Sequence, residues 1–482
     1  CRRHLLVLLA SHIRIQTAAS PSSYRIMPNG RWNGARPQKC VQTHSGRLGP
    51  IQTFKRNIVS TRVMNALADN ELPFEPEMLD RLAEVSIRVG LNLQPEQDLI
   101  ITAPVEALPL VRRLAAEAYR NGAGIVTTIL SDDDLALARY EHASDESLDR
   151  APDWMFRAMA EAFDNNTARL AVSAANPLLL AGQDPSRVAR AGKSMSLAAK
   201  PAMERITNFS TNWNIVSYPG LAWAKQVFPD KEDNEAVASL AEAIFSISRI
   251  DNEDPIAAWK SHQETLTKRQ EWLNEQDFHS LHYKAPGTDL TIGLAEGHAW
   301  KGGASTAKNG IECTPNIPTE EVFTTPHADR VEGTARASKP LVYRGTLIDG
   351  IEVRFEDGKI VDARAEKGEE VFLKLLDTDD GARRLGEVAL VPHSSPISAS
   401  GLLFFNTLYD ENASCHIALG QCYSKCFKGD IGDDPELVSK AGGNTSNIHV
   451  DWMIGSDELD IDGISKDGSI TPVMRKGEWA YE

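Results

Sequence analysis

Strand-like and helix-like segments alternate regularly between residues 98 and 275, and this rhythm constrains the fold more than any other feature of the sequence. The predicted strands cover residues 98–102, 124–130, 168–174 and 213–218, and the predicted helices cover residues 105–120, 153–163, 184–200, 221–228, 232–248 and 255–275. Strands separated by helices in this order favour a doubly wound parallel sheet. We expect the helix at 184–200 to end at Pro201, because the residue before a proline is biased away from helical geometry.

The texture of the sequence changes near Pro286, where segments become short, β-branched and punctuated by Gly, Pro and Asn. Asp357-Gly358 lies between two such segments and predicts a tight hairpin turn. This half is typical of an α+β domain with an antiparallel sheet. The sequence therefore predicts an α/β protein with an N-terminal doubly wound parallel-sheet domain at 64–283 and a C-terminal α+β domain at 284–482.

Residues 1–63 differ in charge from the rest of the chain. They contain eleven Lys and Arg and no acidic residue, whereas the whole chain has a net charge of −16. We interpret them as a basic leader that is poorly packed or not part of the mature protein, with Met64 as the natural start; organellar targeting is the alternative. The acidic remainder argues against a nucleic-acid partner.

Two further features indicate the environment in which the protein works. The sequence has no apolar run near 18 residues, so we expect no membrane partner. Four cysteines in the remainder do not describe an extracellular disulfide scaffold, which favours a reduced, cytoplasmic protein. No G-x-G-x-x-G or Walker sequence follows a predicted strand, so nothing indicates a nucleotide cofactor.

Four places in the second half combine carboxylates or imidazoles with apolar neighbours, where an unpaired charge would be costly. These places are Glu320 and Glu321 in the run 316–326, Glu387 in 384–391, His416 in 406–420, and His449 with Asp451 in 444–454.

Each of the first two places has a plain structural interpretation. Glu320 and Glu321 could begin a helix capped by Thr319, but in an extended chain they would point to opposite faces, so that one binds a metal and the other faces a substrate. Glu387 could be an edge carboxylate that points to solvent.

The other two places also leave alternatives open. His416 could be a satisfied core histidine, or a ligand oriented by Asp410 and Glu411. His449 and Asp451 are two residues apart and would share one face of a strand, either as a polar surface or as donors to one ion. Together, three carboxylates and two imidazoles suit Zn²⁺, Co²⁺ or Mn²⁺, and they are enough for two ions that share a carboxylate.

The runs NIPTEEVFTTP, RRLGEVALV, SGLLFFNTLYDENASCHIALGQCY and NTSNIHVDWMIGS resemble the thermophilic metallo-aminopeptidase family that includes aminopeptidases T, S and II. The resemblance extends from about Met64 to the C-terminus. It implies a two-domain, homodimeric, cytoplasmic enzyme with two divalent metal ions per subunit, which hydrolyses the N-terminal bond of peptides with a free amino terminus. The metal ligands implied by the motifs are Glu321, Glu387, His416, His449 and Asp451, and Tyr423 matches the family's active-site tyrosine.

On this basis Glu320 is the candidate general base and acid, because it adjoins the ligand Glu321 and can accept a proton from water. Tyr423 could donate to the developing oxyanion or bind metal; the alternative is a helix aromatic packed on the core.

The sequence leaves two other classes of function open. A thiol-dependent hydrolase would use Cys415 as nucleophile with His416 or His449 as base, although a buried, inert cysteine is the stronger interpretation. A protein that only binds a small ligand would leave the carboxylates as surface charge. A structural zinc on Cys415, Cys422 and Cys426 has poor spacing and is disfavoured.

Overall fold

The computed structural model describes residues 72–174, 176–343, 346–429, 431 and 434–481, so the predictions for residues 1–63 lie outside the described residues. Among the helices it describes, none combines the length and apolar character needed to cross a membrane. The first elements in chain order are α1 (Glu77–Val85), β1 (Leu99–Pro104), α2 (Leu108–Arg120), β2 (Val126–Ser131), α3 (Asp133–His142), α4 (Asp145–Leu148), α5 (Asp153–Asp164), β3 (Ala168–Ser173), α6 (Pro185–Thr207), β4 (Trp213–Ser217), α7 (Leu221–Val227), α8 (Asp233–Ile247) and α9 (Pro255–Gln276).

The four strands of this part form one parallel sheet in the order β2-β1-β3-β4. The strands alternate with helices that bury one apolar face against the sheet, as in the helix α2, where Leu110 and Leu114 are fully buried. The predicted doubly wound parallel sheet is therefore confirmed, and its four strands agree with the predicted positions to within a few residues, whereas helices α3 and α4 were not predicted.

The prediction that a helix ends at Pro201 is wrong. Helix α6 continues through Pro201 to Thr207. Ala202 and Ile206, on the last two turns, are buried against Met159 and Phe163 of α5. This packing favours the extra turns, and it outweighs the backbone hydrogen bond that a proline cannot donate inside a helix.

The second half begins with β5 (Ser280–Ala285) and is mostly antiparallel sheet. The remaining elements in chain order are β6 (Thr288–Leu294), β7 (Lys301–Gly302), β8 (Ser305–Thr306), β9 (Glu312–Cys313), β10 (Val322–Thr324), β11 (Pro326–Arg336), β12 (Leu341–Tyr343), β13 (Thr346–Ile348), β14 (Glu352–Glu356), β15 (Lys359–Arg364), α10 (Glu369–Leu376), β16 (Leu385–Leu390), α11 (Pro396–Ser400), α12 (Thr407–Asp410), β17 (His416–Gly420), α13 (Pro435–Lys440), β18 (His449–Met453), β19 (Asp460–Ile464), β20 (Ile470–Arg475) and β21 (Glu478–Trp479).

Two large sheets form this half. One has eight strands in the order β15-β14-β11-β6-β5-β19-β20-β21, and the other has five in the order β18-β17-β16-β10-β7. The predicted hairpin at Asp357-Gly358 joins β14 to β15, and both turn residues have positive φ, 48° and 76°. Because β5 already belongs to the eight-stranded sheet, the change of sheet lies before Ser280; the domain boundary at 283–284 stays a prediction.

The five-stranded sheet has two chemically different faces. Val388 of β16, Ile417 and Leu419 of β17 and Trp452 of β18 join the side chains of the eight-stranded sheet in one hydrophobic core. Since successive residues of a strand point to opposite faces, the residues between them point away from that core. Strands β16 and β17 are buried along their whole length, so this second face is also covered by protein.

Trp223 of α7 connects the N-terminal core to the second half. It is fully buried, its Nε1–H donates to the Phe404 carbonyl oxygen at 2.5 Å, and its ring lies against Tyr409. We expect Trp223→Ala to lower the free energy of unfolding by about 3–5 kcal/mol, because it leaves a large cavity and an unpaired carbonyl. Denaturant unfolding of the variant measures this.

The matched control is Trp154→Ala, since Trp154 is 66% exposed. Its effect should stay within about 0.5 kcal/mol. Equal effects of the two substitutions would show that Trp223 does not stabilise this junction.

Candidate active site

Four of the sequence-predicted site residues lie on one face of the five-stranded sheet. Ala418 of β17 is paired with Glu387 on β16 and with Asp451 on β18. Directly opposed residues share a face, and so do residues two apart on one strand, which adds His416 and His449 to the same face. Because Ala418 has only a methyl side chain, the two flanking carboxylates are separated by open space rather than by a bulky residue.

Glu321 reaches this face from a different part of the chain. Ile215 lies on β4, an edge strand of the parallel sheet. Its N–H donates to the Pro315 carbonyl at 2.7 Å, and its carbonyl accepts from the Ile317 N–H at 3.0 Å. The chain then runs to Glu321, directly before β10, which is paired with β16. The chain at Glu320 and Glu321 is therefore extended, as one of the two interpretations predicted, and it does not begin a helix.

The nitrogen and oxygen atoms of these residues lie close together. His416 Nε2 is 3.1 Å from Glu321 Oε2 and 3.7 Å from Glu387 Oε1. His449 Nε2 is 3.6 Å from Glu387 Oε2 and 3.4 Å from Asp451 Oδ1. In the described part of the chain, the groups able to hold a metal ion are Glu321–Glu387–His416 and Glu387–His449–Asp451, with donor atoms within 4.8 Å of one another in each. Glu387 belongs to both.

Backbone carbonyls fix the orientation of both imidazoles. The Ser414 carbonyl lies 3.1 Å from His416 Nδ1, and the Gln421 carbonyl lies 2.6 Å from His449 Nδ1. A carbonyl can only accept, so each Nδ1 carries the hydrogen and each Nε2 is left to face the carboxylates. Asp410, one alternative for orienting His416, instead accepts from the backbone N–H groups of Phe404 and Asn406.

The charges of this cluster are buried, and the described residues offer too few donors to balance them. Glu321, Glu387, His416 and Asp451 are at most 9% exposed. One buried oxygen each of Glu321, Glu387 and Asp451 is approached, in the part of the chain that the structure describes, only by an imidazole Nε2 at 3.1–3.6 Å. Such buried carboxylate oxygens are costly unless a cation lies between them, so the residues present fit divalent metal ions.

The pKa values of these residues reflect the same crowding. Burial alone would lower the pKa of both imidazoles, but contacts with Glu321 and Glu387 raise the pKa of His416 well above its usual value, and Asp451 raises that of His449 to about 9. Burial raises the pKa of Glu387. A cation at this site would replace the protons on the imidazoles, since a metal binds the neutral ring.

Glu320 points away from the cluster, as the extended interpretation predicts. Its carboxylate oxygens lie 2.7 and 3.0 Å from the Arg249 guanidinium, and its backbone N–H donates to Asn412 Oδ1 at 2.8 Å. His262 adds a contact at 3.6 Å. This buried ion pair links the segment before β10 to the end of α8. The role of Glu320 as general base stays a prediction, and its carboxylate is engaged with a cation of the protein.

Tyr423 and Glu411 complete the surroundings of the cluster. Both line a cavity of about 260 Å³ that also contains Glu321, Glu387, His416, His449 and Asp451. The Tyr423 ring lies 4.6 Å from the His449 ring and is 37% exposed, so it is not a helix aromatic packed on the core. Burial, followed by nearby carboxylates, raises the pKa of Tyr423 well above its usual value.

Glu411 also lines this cavity, whereas the sequence indicated it only as one alternative for orienting His416. Burial, followed by the charges of Asp451 and Glu321, raises the pKa of Glu411 well above its usual value. The local signal that could have found it is weak: Glu411 follows Asp410 in an acidic pair, and only the tertiary structure separates the two carboxylates.

Cys415 does not face this cavity. Its Sγ contacts the backbone of Val391, and burial raises the pKa of its thiol to about 11. It directly precedes a strand, where consecutive side chains point to opposite faces, so it lies on the core side while His416 lies on the cavity side. The thiol-hydrolase and structural-zinc alternatives are therefore not favoured.

Comparison with known proteins identifies the class to which this fold and site belong. Residues 75–479 match the family of thermophilic metalloproteases (M29), and the chain belongs to that family.

Relatives are found in several bacteria. Aminopeptidase T of Thermus thermophilus is 55% identical over 83% of this chain and 98% of its own length, and aminopeptidase 2 of Geobacillus stearothermophilus is 48% identical over 84% and 98%. The solved structure of wild-type AmpT from Thermus thermophilus matches with a TM-score of 0.80 and 53% identity, covering 84% of this chain and 99% of that one. The chain is therefore a metal-dependent aminopeptidase, a hydrolase.

Because Glu387 belongs to both groups of potential ligands, Glu387→Gln should weaken divalent-metal binding more than any other single substitution here. We expect a loss in affinity of more than about 100-fold, beyond the range for residues that only orient a ligand. Asp451→Asn and Glu321→Gln should each cost less. Equilibrium dialysis with elemental analysis measures the metal bound.

Glu366→Gln is the matched control, since Glu366 is exposed and lies outside the cluster. Metal binding that survives Glu387→Gln unchanged would contradict the assignment.

Proposed function

We propose that the chain removes the N-terminal residue from peptides with a free amino terminus, at a centre that holds two divalent cations sharing Glu387. The observation that carries this proposal is the pair of ligand groups with one carboxylate in common. Glu321 and His416 would complete one site, and His449 and Asp451 the other. Three carboxylates and two imidazoles favour Zn²⁺, Co²⁺ or Mn²⁺.

Cations held by these residues would lower the pKa of water and draw charge from a carbonyl oxygen. The buried position of the donors supports this use, because charges act more strongly where water is excluded. With the amino terminus and first carbonyl of a peptide held at the cluster, the bond that is cut is the first one in the chain. The protein's own residues then have to move protons and stabilise charge.

We assign proton transfer to Glu411 rather than to Glu320. Glu411 lines the cavity that contains the ligands, whereas the Glu320 carboxylate is paired with Arg249 outside it. A carboxylate that lines this cavity can take a proton from water and return it to the leaving amine.

Tyr423 is the second residue with a chemical role. Its ring packs beside His449 and its hydroxyl remains neutral, since the surrounding carboxylates oppose loss of the proton. A neutral phenol at this place can donate a hydrogen bond to the carbonyl oxygen of the substrate as negative charge develops on it. The homodimer and the cytoplasmic location stay predictions.

Activity on an aminoacyl anilide should be lost after treatment with a metal chelator and should return with Co²⁺ or Zn²⁺, because the proposed chemistry depends on the cations that act as Lewis acids. An unblocked peptide should be cleaved, and its N-acetylated form should not. Both are measured by release of the N-terminal residue.

Two outcomes would contradict this function. Activity that survives chelation and is lost on alkylation would favour a thiol enzyme. Equal cleavage of the blocked and unblocked peptides would exclude amino-terminal specificity.

Glu411→Gln should lower kcat by about 10²–10⁴ while metal content stays near that of the wild type, since the amide cannot accept a proton. Steady-state kinetics and elemental analysis measure the two quantities together. Glu320→Gln is the comparison variant: its effect should fall mainly on the free energy of unfolding, because it removes half of a buried ion pair.

A large loss of kcat in Glu320→Gln at unchanged stability, with Glu411→Gln nearly normal, would return the role of general base to Glu320.

A further inference from the structure

A lysine for which the described residues supply no anionic partner lies at the mouth of the candidate active site. Lys425 follows Tyr423 in a short 3₁₀ turn, Ser424–Cys426. It lines both the 260 Å³ cavity of the ligand cluster and a larger neighbouring cavity of about 980 Å³. It therefore stands where a bound peptide would pass from one cavity to the other.

Aromatic rings contact the ammonium group, while the carboxylates of Glu387 and Glu321 act on its charge without forming an ion pair with it. Lys425 Nζ lies 4.8 Å from the ring centre of Phe209, 5.0 Å from that of Phe323 and 5.3 Å from that of Tyr423. Within the described residues it makes no hydrogen bond or ion pair. Burial lowers its pKa. Ring faces stabilise a cation only modestly, so this ammonium keeps unused capacity for an anion.

The ammonium lies no farther from the ligand cluster than a short peptide can span. The Tyr423 ring lies 4.6 Å from the His449 ring, which places Lys425 Nζ within about 10 Å of that imidazole. An extended chain spans about 3.3–3.6 Å per residue, so a dipeptide or tripeptide covers roughly 7–10 Å. With the amino terminus at the cluster, the carboxylate of such a peptide comes within reach of the ammonium.

We propose that Lys425 binds the C-terminal carboxylate of dipeptides and tripeptides and so makes this enzyme selective for short peptides with a free carboxylate. The proposal rests on the proposed function, because it takes the amino terminus to be held at the ligand cluster. Lys425 is a specificity-determining residue in this scheme.

Arg169 of β3 is the other cation that lines the smaller cavity, and its guanidinium also has no anionic partner among the residues described. It lines only the smaller cavity, whereas Lys425 lines both. Lys425 is therefore the better placed of the two for the far end of a peptide.

The test compares kcat/KM for peptides that end in a carboxylate with their C-terminal amides. The peptides are Leu-Leu, Leu-Leu-Leu and a six-residue peptide of Leu and Ala. All have a free amino terminus and the same kind of first bond. We expect wild-type enzyme to prefer the acid over the amide by about tenfold or more for the two short peptides, the size of one charge-assisted contact. The preference should fade for six residues, whose carboxylate lies beyond Lys425.

The variant Lys425→Met should bring the acid-to-amide ratio of the short peptides close to one, mainly through KM of the acids. Lys425→Arg should keep most of the preference, because the charge remains. Arg169→Met should keep the wild-type ratio, and so should Lys374→Met, a control at an exposed lysine that lines neither cavity. A purely structural role for Lys425 would change the acid and the amide alike and leave their ratio intact.

Several results would overturn the proposal: a wild-type ratio near one at every length, a preference that survives Lys425→Met, or a preference lost in Arg169→Met alone. The wild-type length series tests the proposal even if Lys425→Met does not fold. Failure of the proposed function looks different, since no peptide of the series would then be hydrolysed in a metal-dependent way.

Discussion

Buried carboxylate oxygens, approached within the described chain only by imidazole nitrogens, set the main physical requirement that this fold has to meet. Glu321, Glu387 and Asp451 each present one such oxygen to the same small cavity. An isolated buried carboxylate costs several kcal/mol, and three of them together repel one another. Divalent cations would remove this cost by neutralising the carboxylates. Holding the oxygen atoms in fixed positions is therefore the main task of the surrounding strands.

The five-stranded sheet provides the rigidity. Its central strands are buried on both faces, so the side chains on the cavity face cannot move without disturbing the apolar core on the other. Small residues create the room that the charged ones need: Ala418 lies between two carboxylates, and a Cβ on Gly386 would come within 2.4 Å of the Gly420 and Gln421 carbonyl oxygens. The site is therefore built on strands rather than on loops, which favours a fixed donor geometry.

Two adjacent glutamates serve opposite sides of the chain. Glu321 faces the cluster, while Glu320 pairs with Arg249 and thereby ties the segment before β10 to the N-terminal helices. The parallel sheet contributes in the same direction, because the chain next to Ile215 leads directly to these residues. The N-terminal half thus positions one ligand without supplying any of the five itself.

The alternation of strands and helices in the first half, the antiparallel second half and the hairpin at Asp357-Gly358 could all be predicted from the sequence, because hydrophobic periodicity and turn chemistry are local properties. The motifs also indicated the five clustered donors, and the period of two for His449 and Asp451 gave their shared strand face. The sequence could not show that α6 continues past Pro201, since that depends on packing against α5.

Only the tertiary structure decided which acid of each pair faces the cavity. Glu320 and Glu321 are equivalent in sequence, as are Asp410 and Glu411, yet in each pair one carboxylate is satisfied by the protein and the other is turned toward the cavity. Lys425 likewise has no distinguishing motif. Its importance comes from its position between two cavities without a direct ion pair among the described residues, and contacts between residues far apart in the chain set that position.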